Sequence, residues 1–481
     1  MSNSSVWPLF AVGTLAWTAS AGPGMGWSAP TSHKAGQFAA GLYQPAGQAV
    51  LVVLGDSINA PHAIPGMQVG YRDQLEIPFN GWVVHAGNGI SELGYTNASG
   101  TLATNAMRGP GEEFSSGVSS IAPVRARDIV WGANAAPGQQ LSDSFILNEK
   151  LANMRLGNPF ASDAPIDVRL MMYEGSTQVS GFQAAGMRGS VAVHTGNYVR
   201  PATVTNAIRW IDRELPPGLG NPGIRLRADA TTDESTPGAN TLIHLGTRFR
   251  ARLANGVQMQ IIAHDGWTTL DHVDPGRFTD AALIGYYAAT DPPTHIVLWI
   301  GQNQTLEEST DIYYGRRYAV YKSNVEAVIA RHDAVIAAMG APAPRWLVVS
   351  QFKTGYEEFQ HELMSAALYR IAAEQPRVAF LNLYRLAGGE TFDRQKYLVD
   401  GVHPSAAGAQ FLAALMNHEL KAALAASCPT DFDRSGFVDM VDYDEYVLAF
   451  EAGSIDADFD ASGFVDVEDF TLFVEAFIAG C

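Results

Sequence analysis

A chain of 481 residues, 47% apolar and 17% charged, has room for several domains and a large buried core, and this composition excludes disorder as its dominant state. The formal charge of −18 excludes the basic face that nucleic-acid binding requires, so no nucleic-acid partner is expected. Residues 428–481 hold ten Asp and four Glu against one Arg, so the acidity belongs to the end of the chain and not to its main body.

Residues 1–21 read as an export leader: residues 6–17 are mostly apolar, and Ala19-Ser20-Ala21 is a small-residue cleavage pattern, although the basic start is missing. No later stretch reaches the ~18 uninterrupted apolar residues of a spanning helix. The expectation is a secreted or surface-attached protein with no membrane span in its mature form. Residues 48–54 (QAVLVVL) are a continuous apolar, β-branched run ending at Gly55, the signature of a strand buried on both faces. Three similar runs follow at 295–300, 346–350 and 378–383, with helical patterns at 321–339 and 358–374 between them and at 405–426 after them. Strands alternating with helices predict a parallel sheet covered on both faces.

The middle of the chain differs. Residues 81–256 are rich in Gly, Thr, Asn and Ser, with short β-like runs at 167–173, 191–194 and 242–245 and one helical pattern at 203–215. They read as a large β-rich insertion splitting an α/β body into 22–80 and 257–427. This insertion is either a substrate-shaping surface or an elaboration that covers the sheet edge.

Chemistry enters at the ends of the apolar strands. Gly55-Asp56-Ser57 follows the first one directly, which puts a hydroxyl where open α/β sheets build their sites. Asp400-Gly401-Val402-His403-Pro404 lies before the last helix, and a spacing of three on a turn lets a carboxylate accept from one imidazole nitrogen while the other faces a serine. A serine hydroxyl becomes a nucleophile only when a base removes its proton, and a carboxylate fixes that base's tautomer. Two further strand ends break at glycine: Gly301-Gln302-Asn303, whose amide can donate to an oxyanion, and Gly266 within residues 261–268, whose N–H can do the same. Residues 83–89 also read as a strand and turn, so Gly87 and Gly89 stand as alternatives to Gly266; in that case the insertion begins after Gly89.

These four blocks resemble those of the SGNH (GDSL-type) hydrolases. The resemblance implies a three-layer, flavodoxin-like parallel sheet. It further implies Ser57 as nucleophile, His403 as general base and then acid, and Asp400 as its orienter. The oxyanion hole would be the N–H groups of Ser57 and Gly266 with the Asn303 amide. No catalytic cofactor is implied. The third block departs from the family's Gly-x-Asn-Asp, since Gln304 follows Asn303.

The acidic tail is a duplication. Asp431, Asp433, Ser435, Asp439 and Asp442 sit at positions 1, 3, 5, 9 and 12 of a loop with Gly436 at position 6. Asp458, Asp460, Ser462, Asp466 and Asp469 repeat the pattern around Gly463, 27 residues later. Hard oxygen ligands at these spacings suit Ca²⁺, with the backbone carbonyl at position 7, here Phe437 and Phe464, as a further ligand. The apolar pairs Tyr443/Phe470, Tyr446/Phe473, Val447/Val474 and Phe450/Phe477 repeat at the same interval. Two short helices carrying them can bury those stripes only against each other. Cys428 and Cys481, the only cysteines, bracket the unit and are expected to form a disulfide in an exported protein. The paired loop-helix units resemble dockerin modules, which implies a small all-α domain over 428–481 with two structural Ca²⁺ and a cohesin-like or cell-surface partner.

Together these readings predict a secreted serine esterase acting on acyl esters, foremost O-acetyl groups on a polysaccharide. A lipase- or thioesterase-like hydrolase and a non-catalytic carbohydrate-binding or adhesin protein are the alternatives.

Overall fold

The computed structural model describes residues 29–45, 47–59, 75–85, 164–173, 208–217, 241–253, 255–264, 266–303, 314–355, 358–433, 438–460 and 462–479, together with the strands named below that fall between them. The export leader, Gly87, Gly89, Gln304, Ser435, Phe437 and Cys481 lie outside the described residues.

The strands in chain order are β1 (Ser32–His33), β2 (Gln48–Gly55), β3 (Phe79–His85), β4 (Phe114–Ser115), β5 (Asp128–Val130), β6 (Ser144–Ile146), β7 (Ile166–Tyr173), β8 (Gly181–Arg188), β9 (Val191–Val199), β10 (Ile208–Leu215), β11 (Pro222–Ala228), β12 (Thr241–Ala251), β13 (Gly256–Ala263), β14 (His295–Trp299), β15 (Arg345–Val349) and β16 (Val378–Leu381). The longer helices are α1 (Ala35–Tyr43), α2 (Asp280–Thr290), α3 (Tyr314–Ala338), α4 (Glu358–Glu374), α5 (Ala406–Ser427), α6 (Met440–Glu451) and α7 (Val467–Ala479).

One large sheet runs in the order β1-β16-β15-β14-β2-β13-β3-β12-β7-β10, with β5 also on β12. Its centre, β16-β15-β14-β2-β13-β3, is parallel throughout. The alternation of β2 explains why its sequence is apolar without a break. Leu51 and Val53 point into one core with Phe38 and Leu42 of α1 and Leu412 and Met416 of α5. Val52 and Leu54 point into another with Leu283 of α2, Val325 of α3 and Leu368 of α4. A strand with helices against both faces has no solvent side on which a polar residue is favoured.

The inserted segment does not stand apart from this sheet. β3 is itself a central strand, parallel to β13, and β12, β7 and β10 extend the sheet from it in antiparallel fashion. Only β4, β6, β11, β8 and β9 form a second sheet. Arginines tie the extension to the body: Arg248 and Arg250 both reach Asp291 Oδ2, and Arg169 donates to the Ala289 carbonyl at the end of α2 (3.1 Å).

One expectation is corrected here. Of the helical pattern at 203–215, residues 208–215 form β10, paired along its whole length with β7, and residues 203–207 lie outside the described residues. Ile208, Ile211 and Leu215 have helix-like spacing, but Ile208 packs in one core while Ile211 and Leu215 pack in the other. An edge strand touching both cores mimics a helical stripe: the spacing of three from Ile208 to Ile211 changes faces on a strand, and the spacing of four from Ile211 to Leu215 keeps the face.

At the end of the chain, α6 and α7 pack through the apolar positions that repeat at 27. Tyr446 and Phe473 stack face to face with centroids 3.6 Å apart, and Phe432 and Phe459 stand edge-on to them at 5.3 and 5.5 Å. Among the described residues no helix is long and apolar enough to cross a membrane.

Candidate active site

Strand register builds the site. Gly55 at the end of β2 is level with Ala263 of β13 on one side and Trp299 of β14 on the other. The three chains leave the sheet together, and within four residues they deliver Ser57, Gly266 and Asn303 to the same edge. This is the position, at the carboxyl ends of parallel strands where the order reverses, at which such sheets bind ligands.

The segment after the last parallel strand supplies the rest. Gly401 takes φ +84°, a left-handed conformation that glycine adopts without penalty. The turn closes with the Val399 N–H on the His403 carbonyl at 2.9 Å. Asp400 Oδ1 accepts from the backbone N–H groups of Val402 (3.0 Å) and His403 (2.8 Å), which locks its carboxylate within the turn. Pro404 comes before Ser405, whose hydroxyl accepts from the Gly408 N–H and starts α5. Pro404 thus precedes the helix, which begins at Ala406.

The Ser57 hydroxyl lies 2.8 Å from His403 Nε2, and His403 Nδ1 lies 2.7 Å from Asp400 Oδ2. A carboxylate can only accept, so Nδ1 carries the proton and Nε2 presents its lone pair to the serine. Ser57 is buried, while Asp400 keeps about half its side chain exposed at 47%. Burial works against the Asp400 charge, but the His403 N–H, the His403 imidazole and the Val402 N–H together hold its carboxyl below its ordinary value.

Of the expected oxyanion donors, Gly266 sits just beyond β13 with φ +74°. The Asn303 amide donates one hydrogen to the Trp267 carbonyl at 2.9 Å. An amide nitrogen carries two hydrogens, so one bond fixes the group and the second remains for a ligand.

Several site residues escape sequence reasoning. Asp56 is fully buried, its Oδ1 accepting from the Ile58 N–H at 3.0 Å. Burial pushes its carboxyl up to about 6 against the pull of the Ile58, Gly301 and Gln302 N–H groups and of His403. Asn59 donates to the Trp299 carbonyl at 2.9 Å, tying the serine turn to β14. Trp299 Nε1 donates to Gln351 Oε1 at 2.6 Å, and Gln351 reaches Gln302 at 3.4 Å. Asp56 was visible inside its motif, but its burial was not.

In the C-terminal loops, carboxylate oxygens of Asp431, Asp433 and Asp442 lie within 4.8 Å of one another, as do those of Asp458, Asp460 and Asp469. Asp442 accepts from the N–H groups of Asp433 and Asp439, and Asp469 from those of Phe459, Asp460 and Asp466. Backbone hydrogen bonds hold the Asp469 carboxyl below its ordinary value. Asp439 and Asp466, at position 9, accept from the Val441 and Glu468 N–H groups at the helix starts and stand outside these clusters. Ser462 accepts from the Phe464 N–H. Three ionised oxygens converging on one point, two from buried residues in the first loop, fit a hard cation. Cys428 is buried, with Thr430 Oγ1 at 3.4 Å from its sulfur.

Residues 229–411 match the family model of the GDSL-like Lipase/Acylhydrolase family. The match includes Gly266, Asn303, Asp400 and His403 but stops short of Ser57, which reaches the site only through the fold. No curated protein matches the chain. Among solved structures, a carbohydrate esterase family 3 protein from Talaromyces cellulolyticus is 18% identical, with 35% of this chain and 72% of that chain covered and a TM-score of 0.27. A putative platelet activating factor from Streptococcus pneumonia is 17% identical over 34% and 73%, TM-score 0.27. A variant of an acetyl xylan esterase from Geobacillus stearothermophilus is 15% identical over 34% and 73%, TM-score 0.26.

Proposed function

We propose that this protein is a secreted serine esterase of the SGNH type that removes acyl groups, foremost O-acetyl groups, from a polysaccharide. The observation that carries the reading is the unbroken line Ser57 Oγ–His403 Nε2, His403 Nδ1–Asp400 Oδ2 at 2.8 and 2.7 Å. The order β13-β2-β14-β15-β16 within the sheet supports a flavodoxin-like core beneath it.

Ser57 Oγ attacks the ester carbonyl as His403 Nε2 takes its proton, and Asp400 stabilises the resulting imidazolium. The carbonyl oxygen becomes an oxyanion facing the N–H groups of Ser57 and Gly266 and the free hydrogen of the Asn303 amide. Collapse breaks the bond to the alcohol, which leaves with the proton from His403, and an acyl-Ser57 ester remains. Water then attacks that ester with His403 as base, and the carboxylic acid departs as Ser57 regains its proton.

The polysaccharide substrate is inferred from the export leader and the C-terminal repeats, the composition of an enzyme held at a surface. In the dockerin-like module, Asp431, Asp433, Ser435, Phe437 and Asp442 would hold one Ca²⁺ and Asp458, Asp460, Ser462, Phe464 and Asp469 another, with Asp439 and Asp466 behind them. Bound Ca²⁺ supplies the positive charge that lets these carboxylates stay close. A disulfide between Cys428 and Cys481 closes the module, and a cohesin-like or surface partner receives it.

The test compares wild type with Ser57→Ala on acetylated xylan and on p-nitrophenyl esters of increasing chain length. Release of acetate by wild type alone is expected. Equal turnover by the variant removes the triad, a preference for long chains points to a lipase- or thioesterase-like enzyme, and binding without turnover points to an adhesin.

A further inference from the structure

A histidine that the reaction does not consume lies beneath the site. His272 is fully buried, its Nε2 3.0 Å from the carbonyl oxygen of Gly55, two residues before Ser57. A carbonyl can only accept, so Nε2 carries the proton and Nδ1 is bare. Among the described residues Nδ1 has no hydrogen-bond partner. Burial drives this imidazole down to about 4, so it is neutral near pH 7.

The same ring stands edge-on to Trp267, with centroids 4.9 Å apart and planes at 87°. Trp267 is buried and held on its faces by His264 (5.5 Å, 20°) and Phe278 (5.9 Å, 22°). It directly follows Gly266, and its carbonyl is the one that fixes the Asn303 amide. His272 therefore touches the nucleophile's strand with its N–H and the oxyanion donors' shared anchor with its ring.

The segment carrying it is rigid by construction. Asp271 accepts from the Thr268 N–H and hydroxyl at 2.8 and 3.0 Å and pairs with Arg277. Arg331 of α3 donates to the carbonyls of His272 (2.8 Å) and Phe278 (2.6 Å). A donor whose own backbone is clamped in this way transmits position and not motion.

We infer that His272 is a positioning residue for the oxyanion hole: its N–H on Gly55 and its ring against Trp267 set the separation between Ser57 and the donors Gly266 and Asn303. The inference deepens the esterase reading and rests on it. Oxyanion donors act only when they lie within hydrogen-bond reach of where the oxygen moves, not of where the ground-state carbonyl sits. A misplacement of about 1 Å costs about 100-fold in rate. Loosening the tie thus weakens transition-state stabilisation and spares substrate binding, so kcat falls while KM holds.

The experiment uses the full chain and p-nitrophenyl acetate. His272→Met keeps bulk and removes the donor; His272→Gln places an N–H close to the position of Nε2. Expected is a loss in kcat of about 10- to 100-fold for His272→Met with KM within about 2-fold, and recovery of most of that loss by His272→Gln. Wild-type kcat in His272→Met, a loss carried by KM, or a His272→Gln variant no better than His272→Met overturns the inference. If His272→Met does not fold, ¹⁵N-histidine NMR of the wild type decides. A neutral ring protonated on Nε2 from pH 8 to 5.5 supports the tie, and a proton on Nδ1 or a charged ring ends it. A wild type that leaves p-nitrophenyl acetate intact counts against the esterase reading, whereas the wrong tautomer counts against His272 alone.

Discussion

The molecule handles carboxylates in two contrasting ways. At the Ser57 site one carboxylate, Asp400, faces one imidazole at 2.7 Å, and its charge is answered within the chain. In the C-terminal loops three carboxylates crowd within 4.8 Å, and backbone N–H groups turn toward them: Asp458 accepts from Ser462 and Gly463, and Asp469 from three more. Dipoles can orient such a cluster but do not cancel its charge. The first arrangement pairs its carboxylate with a partner in the chain, whereas the second leaves three carboxylates close together with backbone dipoles around them.

The contrast breaks most visibly in kinetics. Ser57→Ala should lower kcat by roughly 10⁴- to 10⁶-fold on p-nitrophenyl acetate, while the full-length double variant Asp442→Asn/Asp469→Asn keeps the wild-type rate to within about 2-fold. A comparable loss in the loop variant would join two regions that are separated here. Next, Asp400→Asn should cost about 10³- to 10⁴-fold, because an amide in place of the carboxylate favours the wrong imidazole tautomer. Full activity in this variant would show His403 to be oriented without its carboxylate.

For the loops, free Ca²⁺ at 100 times its Kd should stabilise the module by about 2.7 kcal/mol, read as a raised Tm that EDTA reverses. The double variant should lose that response. A wild-type melting curve indifferent to both Ca²⁺ and EDTA removes the metal from the account.

A smaller and broader effect comes from pH. His272, His295 and His361 are lowered by burial to about 4, and His332 well below its ordinary value. Each takes up a proton on unfolding, so its contribution is present above about 6.5 and is lost as pH falls toward 4. Asp56 runs the other way: burial raises it to about 6, so the fold holds that proton more tightly, and its contribution fades as pH rises from about 4 to about 6. Four histidines outweigh one aspartate, and Tm should fall on acidification from pH 7 to 4.5. Glu362, also raised by burial, opposes the fall in the same sense, and Asp56→Asn should steepen it by removing the more deeply buried of these two carboxyls.

Legibility in the sequence followed the physics of burial. The runs at 48–54, 295–300, 346–350 and 378–383 are β2, β14, β15 and β16, and the pattern at 358–374 is α4. A strand buried on both faces can hold only apolar residues, so it announces itself. Ser57, Asp400 and His403 were legible as candidates because three chemistries stood at strand ends and turns. What stayed hidden were partners fixed by register: His272 meets Gly55 only because Ala263 is level with it, and nothing within either segment records that pairing. Likewise β10 was mistaken for a helix because its apolar residues serve two cores at once. β1 and α1 at the start of the described chain gave no signal strong enough to name.

The position of β2 at the middle of the parallel strands also bears on how the protein is made. Its two neighbours, β13 and β14, begin at Gly256 and His295. During synthesis this strongly apolar strand waits about 200 residues for its first partner. Non-local pairing of this kind is slow, and an unpaired β-branched segment is a template for aggregation until it closes. Ser57 therefore follows a strand that pairs late, and substitutions that weaken β13 or β14 should first show themselves as lost soluble yield.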